Sequence, residues 1–367
     1  MDKKKLLYAA LSGAASIAFA LAPAMAASAD NDTTGADSHN EAEVELDNDV
    51  TISQVNNLDV TNTIKINSET GENSADKNTG DGSVSTGDAG AKVSIETAGN
   101  SNSLTLTMGE SGDLSASNEK TGADSKNEAE VEVDNDLDVT QTNNASVHND
   151  VDVDAETGEN SADKNTGDGS VETGDAEVDV MVGTDVNENV LEIDGLGSGD
   201  PSAANDTTGA DSKNEAEVEV DNDVDILQTN NLDSGVTNDI DVEAETGENS
   251  ADKNTGEGSV DTGDADVSVE LNTSGNSNEA TIEAGVGGDW EVSNEKTGYD
   301  SKNEAEVEVD NDVDVTQVNN SSVHNNGDIE ADTGDNSADK NTSDGVKTGD
   351  TDVEVSVSTD VNSNSLD

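Results

Sequence analysis

The stretch that decides the fold is Glu128-Ala129-Glu130-Val131-Glu132-Val133-Asp134-Asn135-Asp136-Leu137-Asp138-Val139, in which an acid occupies every second position. Successive side chains of a β-strand point to opposite faces, so this two-residue period is typical of a half-buried strand. One face of that strand is small and apolar or amide, and the other is a row of carboxylates. The same alternation recurs in three further places along the chain.

The acidic face of these strands predicts a partner. Carboxylates two residues apart lie about 6.6 Å from one another, and those on neighbouring strands lie about 5 Å apart. Such a face repels itself and needs cations, high salt or protonation in a compact fold. We predict a diffuse cation-binding face, with calcium as the candidate ion because it accepts many oxygen ligands in flexible geometry. The predicted residues are Glu128, Glu130, Glu132, Asp134, Asp136 and Asp138, with counterparts at 41–49, 215–225 and 304–314.

The composition limits the kinds of partner. The chain has 367 residues and a formal net charge of -70, and its 15 basic residues are all lysine. Nucleic acid and anionic membrane surfaces would be repelled by this field. Cations, basic proteins and a crowded or salty exterior fit better.

The composition also limits the core. There are no cysteines, so disulfides and thiolate metal sites are excluded. The sparse aromatics predict a thin interior filled by Val, Ala, Leu, Ile and amides. High charge with low hydrophobicity is also typical of disorder, but a disordered chain has no reason to keep its apolar residues in phase.

The first 26 residues predict the compartment. Lys3-Lys4-Lys5, an apolar stretch over 6–22 and Ala24-Met25-Ala26 have the layout of a secretory signal peptide. We predict cleavage after Ala26, with cleavage after Ala29 and a membrane anchor as the alternatives. The mature chain is then secreted, extracellular or at the cell surface, and is not inserted in a membrane.

Two sequence markers divide the chain into four units. Thr-Gly-x-Asp-Ser begins at Thr34, Thr121, Thr208 and Thr297, with offsets of 87, 87 and 89 residues. Thr-Gly-[Glu/Asp]-Asn-Ser-Ala-Asp-Lys-Asn-Thr repeats with nearly the same period. The predicted organisation is a signal peptide at 1–26 and units at 27–120, 121–207, 208–296 and 297–367, the last one shortened.

A longer period overlies the four units. Units one and three share Gly-Asn-Ser-Asn, whereas units two and four share Val-His-Asn and Thr-Asp-Val-Asn. The chain therefore reads as an alternating array of two unit types. The segment 194–204, which carries Pro201 and several glycines, is the predicted linker between the two pairs.

The units predict an all-β fold, since β-branched residues at period two dominate. One architecture is a β-solenoid with rungs near 17 or 18 residues, which fit the 36- and 51-residue gaps between the markers. The other is a row of tandem β-sandwiches of about 87 residues. We favour the solenoid because the inward-phase amides Asn127, Asn135, Gln141 and Asn143 recur, and stacked amides bond in ladders. The alternative is that these asparagines sit at bends exposed to water. Within the unit, we predict a turn at Asn143-Asn144.

Catalytic constellations are missing from the sequence. His39, His148 and His324 are isolated among polar residues, and no pair has metal-ligand spacing. Acids are so dense that a pair of carboxylates carries no information about hydrolytic chemistry. We predict that the protein is not an enzyme.

The repeats carry a resemblance. Gln141-Thr142-Asn143-Asn144-Ala145-Ser146-Val147 and the segment 157–176, which ends Thr-Gly-Asp-Ala, resemble the Asn/Thr/Gly-rich repeat of uncharacterised secreted proteins of candidate-phyla (patescibacterial) bacteria. This resemblance implies a bacterial exported surface protein. A fainter likeness is to curlin-type repeats of biofilm fibres, although these strands bear far more acid.

Two functional hypotheses follow. The first is a structural protein of the cell surface or extracellular matrix whose units stack through open ends into filaments. The second is a cation-dependent adhesin or calcium-binding surface spacer that uses the acidic face.

Overall fold

The computed structural model describes residues 15–21, 26–108, 113–195, 200–283 and 290–367. The described residues contain strands, bridges and turns and no helix, so the all-β prediction is confirmed. The strands are β1 (Ala15–Leu21), β2 (Ala27–Asp32), β3 (His39–Glu69), β4 (Gly82–Ser85), β5 (Ala89–Met108), β6 (Leu114–Glu119), β7 (Lys126–Glu156), β8 (Asn160–Ser161), β9 (Gly169–Glu172), β10 (Ala176–Asp194), β11 (Pro201–Asp206), β12 (Lys213–Glu245), β13 (Asn249–Ser250), β14 (Glu257–Asp261), β15 (Ala265–Glu283), β16 (Glu291–Glu295), β17 (Lys302–Asn320), β18 (Val323–Asp332), β19 (Asn336–Ser337), β20 (Ser343–Lys347) and β21 (Thr351–Leu366).

Each unit of about 87 residues forms one rung of a parallel β-solenoid. The long strand β7 pairs in parallel with β3 on one side and β12 on the other, and residues lie beside their equivalents in the neighbouring units, apart from a register shift in β12 between Asn231 and Gly235. Glu130, for example, lies between Glu43 and Glu217. The solenoid prediction is confirmed, whereas the predicted rung of 17 or 18 residues is wrong. Both markers lie within a single rung. The chain reaches the equivalent position of the next rung only after a full unit of about 87 residues.

A rung has two layers that pack face to face. The chain runs out along the long strand, turns through the short strands near residues 70–88, and returns along β5 in the first rung. The side chains of Ile52 in β3 and Leu104 in β5 lie in one buried cluster. A strand of 31 residues spans about 100 Å, so each layer is long and the interior between the layers is thin.

The dry interior consists of the small apolar residues that the alternation predicts. Buried clusters of Val, Leu, Ile and Ala lie at successive positions between the layers. In β7 the alternating pattern continues from Lys126 to Glu156 without interruption. The predicted turn at Asn143-Asn144 is therefore wrong, because both residues continue the strand.

Buried amides stack into ladders from rung to rung. Asn127, Asn135, Gln141 and Asn143 are all buried, so the alternative that places them at exposed bends is wrong. The Nδ2 of Asn127 donates to the Oδ1 of Asn214 at 2.7 Å, one rung further along. Each buried amide thus finds its partner in the same residue type of the next unit, which satisfies polar groups that would otherwise be destabilising.

Asn143 also joins the two layers. Its Nδ2 donates to Asn230 Oδ1 in the next rung at 3.1 Å and to Asn189 Oδ1 in the opposite layer at 2.9 Å. Its Oδ1 accepts hydrogen bonds from Asn56 and Asn102 of the preceding rung at 3.1 and 3.0 Å. The asparagine ladders around Asn143 therefore form a polar seam that runs from rung to rung between two apolar clusters.

Glycines permit the turns to stack as closely as the strands. Gly247 has a φ of +77°, and a Cβ at this position would lie 2.2 Å from the carbonyl oxygen of Gly158 in the preceding rung. A residue larger than glycine would be strained at this positive φ and would clash with the preceding rung. The Thr-Gly marker of each unit is thus a packing requirement of the stack.

The structure also places two segments that the sequence assigns to other roles. Within the predicted linker at 194–204, Asp194 ends β10 and Pro201 begins β11, which pairs with Leu114–Glu119. These ends of the segment are therefore strand, and residues 196–199 lie outside the described residues. Within the predicted signal peptide, β1 pairs in parallel with Asn102 to Met108 of β5. The rest of that apolar stretch lies outside the described residues.

We expect Asn143→Ala to destabilise the solenoid strongly. The substitution removes the partner of several buried donors and acceptors, and each orphaned group costs about 1–3 kcal/mol. We expect a loss of about 3 kcal/mol or more in the free energy of unfolding. Urea denaturation followed by circular dichroism measures it.

Asn144→Ala is the matched control. Asn144 is the next residue, points outward, and donates to Asn57 Oδ1 at 2.9 Å in a solvent-accessible ladder. Its loss should change the free energy of unfolding by no more than about 0.5 kcal/mol. Equal effects of the two substitutions would contradict a special role for the buried seam.

Candidate functional surfaces

The predicted acidic residues form ladders on the outer face of the long strands. Glu128, Glu130, Glu132, Asp134 and Asp136 alternate with buried residues of β7. Each has a carboxylate at the equivalent position of the preceding and the following rung. Asp138 continues the row but lies beside Thr51 in the first rung. We call this surface the acidic rows; its other members are Glu41, Glu43, Glu45, Asp47, Asp49, Glu215, Glu217, Glu219, Asp221, Asp223, Asp225, Glu304, Glu306, Glu308, Asp310, Asp312 and Asp314.

The acidic rows are electrostatically strained in the middle of the stack. Partial burial raises the pKa of Glu130, and the neighbouring Glu217 and Glu43 raise it further. The pKa values of Glu132 and Asp134 are raised by the same causes, burial first and then neighbouring carboxylates. The rows therefore favour protonation, or a counter-ion, more than isolated carboxylates do.

A column of basic residues borders one end of the rows. The Nζ of Lys126 lies 2.5 Å from Glu128 Oε2, and this hydrogen bond is the main cause that lowers the pKa of Glu128. Lys213 lies 2.6 Å from Glu215 in the next rung. Glu128, one of the six predicted cation-binding residues, therefore already forms an ion pair with Lys126.

A second group of stacked acids lies at the far end of the long strands. Burial and the nearby Glu156 and Glu243 raise the pKa of Glu245 to about 7. The pKa values of Glu156 and Glu243 are also raised, again mainly by partial burial. Two acidic regions therefore flank the central part of the layer that contains the asparagine seam.

No compact metal centre is present within the described residues. No group of three or more His, Cys, Asp or Glu side chains there is arranged so that it could hold a metal ion. His148 and His324 both lie on outward positions of the long layer, and the register places Thr237 between them. His39 lies 3.9 Å from Glu41. The acidic rows are a continuous surface and do not form a coordination cage.

The fourth rung exposes a second candidate surface, its open edge. Val355 is 51% exposed, whereas the equivalent residues Val269, Val180 and Val93 are at most 3% exposed. We define the open edge by seven inward-phase residues of the fourth rung that are exposed although their stacking partners in the third rung are buried. They are Val307, Val313, Val346, Val353, Val355, Val357 and Leu366.

Sequence reasoning missed the amides of the return layer. Asn100, Asn102, Asn187 and Asn189 are buried and bond from rung to rung as the amides of the long layer do. The signal was present, because Gly99-Asn100-Ser101-Asn102 and Val186-Asn187-Glu188-Asn189 occupy the same place in alternate units. The shared asparagines mark a ladder, and only the residues around them distinguish the two unit types.

Comparison with known protein families, with curated proteins and with solved structures found no match. Among the residues that the structure describes, no helix is long and apolar enough to cross a membrane.

We predict that the solenoid becomes more stable as the pH falls. A carboxyl whose pKa is raised by folding contributes stability that is fully present below its unfolded-chain pKa and is lost as the pH rises through its folded-chain pKa. For Glu245 this window runs from its ordinary value of 4.5 to about 7. The thermal midpoint at low salt should therefore rise between about pH 8 and about pH 5.

Glu245→Gln isolates the contribution of the most perturbed group. This variant should raise the midpoint at neutral pH and reduce its dependence on pH over the same window. Glu188→Gln is the control, because Glu188 is exposed on the return layer between Ser101 and Ser277. A midpoint that falls as the solution is acidified through this window would contradict the prediction.

Proposed function

We propose that the protein is a secreted acidic repeat protein with a structural role at the cell surface or in extracellular matrix, and that its chains assemble into filaments. The observation that carries this proposal is the open edge. Residues that are buried in inner rungs, such as Val180, have exposed equivalents in the fourth rung, such as Val355. An edge with unpaired backbone groups and exposed apolar side chains is a template for another strand.

The chemistry of the chain supports a structural role over catalysis. The interior is filled by side chains, and the outer surface is a repeated pattern in which no group of side chains among the described residues is arranged to hold a metal ion. A stack of identical rungs gives length and stiffness with few contact types. The acidic exterior keeps neighbouring stacks apart, because like charges repel between them as well as within them.

A cation-dependent adhesin or calcium-binding surface spacer is the second candidate function. The acidic rows favour it, since partial burial and stacked neighbours raise the pKa of Glu130 and Glu132. Divalent cations bound along the rows would relieve this repulsion and present a surface that bridges to other anionic groups. This role needs measurable uptake of cations, whereas a purely structural stack does not.

Electron microscopy of the chain without residues 1–26 tests the proposed assembly. We expect unbranched filaments in salt or calcium, and fewer at low ionic strength, where the acidic rows of adjoining chains repel each other over longer distances. Dispersed particles at every protein concentration, salt concentration and calcium concentration would refute the structural proposal.

Calorimetric titration with calcium tests the second candidate. We expect saturable uptake if the acidic rows bind the ion, and lower uptake in the double variant Glu130→Gln, Glu132→Gln. The matched control is Glu188→Gln, Glu192→Gln, since both of these acids lie on the return layer between hydroxyl residues. Uptake that falls equally in both double variants would assign binding to net charge and not to the rows.

A further inference from the structure

We propose that the open edge of the fourth rung binds the first rung of a second copy of this chain, head to tail and in the same register as the internal rungs. This inference rests on the proposed function and deepens it, because it names the partner, the polarity and the contacting residues. Three independent features of the two terminal rungs support it: an unpaired buried acceptor, the direction of two amide ladders, and the order of the unit types.

The first feature is a buried acceptor without a partner in the first rung. The Oδ1 atom of Asn56 is buried and has no hydrogen-bond partner among the described residues. In the second rung the equivalent atom, Asn143 Oδ1, accepts hydrogen bonds from Asn56 and Asn102 of the rung before it. Asn56 Oδ1 therefore lacks the two donors that a preceding rung supplies elsewhere in the stack.

The fourth rung carries the matching donors. Asn319 Oδ1 accepts from Asn230 and Asn278 at 3.1 and 2.8 Å, so its acceptor side is already satisfied by the third rung. Its own Nδ2 bonds only within the fourth rung, to Ser363 O and Asn364 Oδ1, each at 2.8 Å. In the third rung, Asn230 Nδ2 also donates to the asparagine of the next rung, Asn319. Asn319 Nδ2 makes no such bond, because the fourth rung is the last one in the stack. A first rung placed on this edge would supply it through Asn56 Oδ1.

The second feature is that the glutamine ladder runs in the opposite direction. Gln141 Nε2 donates backward to Gln54 Oε1 at 2.7 Å, and Gln317 Nε2 donates backward to Gln228 Oε1 at 2.8 Å. At a head-to-tail junction, Gln54 Nε2 of one copy would donate to Gln317 Oε1 of the other. The asparagine and glutamine ladders thus need opposite hydrogen-bond directions, and one junction satisfies both.

These directions disfavour symmetric junctions that set equivalent amides against each other. Two first rungs related by a two-fold axis at Asn56 would set Asn56 Oδ1 against Asn56 Oδ1, which is acceptor against acceptor, and the facing strands would be antiparallel, unlike every internal pair of rungs. Two fourth rungs related by such an axis at Asn319 would set Asn319 Nδ2 against Asn319 Nδ2, which is donor against donor. A head-to-tail contact is heterologous and does not close, so it generates an open filament.

The third feature is the alternation of unit types. The fourth unit is of the same type as the second, and the first is of the same type as the third. Placing the first rung on a fourth rung therefore reproduces the contact between the second and third rungs. At that junction Val355 would stack on Val93 and Val357 on Ile95, as the internal registers dictate.

The leader occupies part of the same junction. In this register Asn364, Ser365 and Leu366 of one copy lie beside Asn102 to Leu104 of the next. The strand β1 pairs with Asn102 to Met108, so it already covers these three positions. A chain that retains its leader should present an open fourth rung but a blocked first rung.

Val355→Arg tests the junction directly. The side chain is half exposed in the single chain, so the substitution leaves the fold intact but places a charge where the second copy would pack. We expect the mass of filaments formed by the chain without residues 1–26 to fall more than about tenfold. Ser356→Arg is the matched control, because it makes the same change of charge at the neighbouring position, which alternates with Val355 and lies beside Glu270 of the third rung. Its filaments should be unaffected.

A mixing experiment tests the polarity. The Val355→Arg chain has a blocked fourth rung, and the complete chain made with its leader retained has a blocked first rung. Mixed together, they should form a dimer and nothing larger, as measured by analytical ultracentrifugation. Each chain alone should remain a monomer.

The outcomes separate this inference from the proposed function. If the unsubstituted chain without residues 1–26 forms no filaments, the proposed function fails and the junction fails with it. If it forms filaments and Val355→Arg forms them equally well, or if Ser356→Arg abolishes them too, only the head-to-tail junction is overturned. Mixed oligomers larger than a dimer would overturn the assigned polarity.

Discussion

The constraint on which this structure depends is that every residue stacks on its equivalent one unit away. A parallel, in-register array places like side chains next to each other, so each residue type must be compatible with itself. Valine and alanine meet this condition by packing. Asparagine and glutamine meet it because an amide is both donor and acceptor and can pass a hydrogen bond along a column. Glycine meets it in turns such as Gly158 and Gly247, where nothing larger fits.

Carboxylates do not meet this condition, and the chain nevertheless stacks them in long rows. Glu130 lies between Glu43 and Glu217, and partial burial, together with repulsion from these neighbours, raises its pKa. The amide ladders and apolar clusters on the inner face of the same strands offset this repulsion. They are buried, and a hydrogen bond is electrostatically stronger in the protein interior than in water. The balance between the two faces therefore depends on salt, cations and pH, which act on the acidic face and leave the interior unchanged.

The sequence predicts much of the strand structure and little of the stacking. Alternation along 127–141 correctly predicts which residues of β7 face inward, and it places Asn135 and Gln141 in the interior. The alternation does not predict which strands pair, because pairing between segments distant in sequence does not change the pattern within either strand. The repeat of 87 residues holds that information, but the spacing of two markers within the unit suggested a shorter rung. Asn143-Asn144 reads as a turn locally, and it remains strand because its buried partners lie in other rungs and in the return layer.

The direction of the ladders turns a repetitive stack into a polar one. At the first rung, Asn56 Oδ1 is a buried acceptor with no hydrogen-bond partner among the described residues. At the other end the apolar positions are the ones that are exposed, as in Val355. The two ends of the stack are thus unsatisfied for different physical reasons, one polar and one hydrophobic, and each supplies what the other lacks.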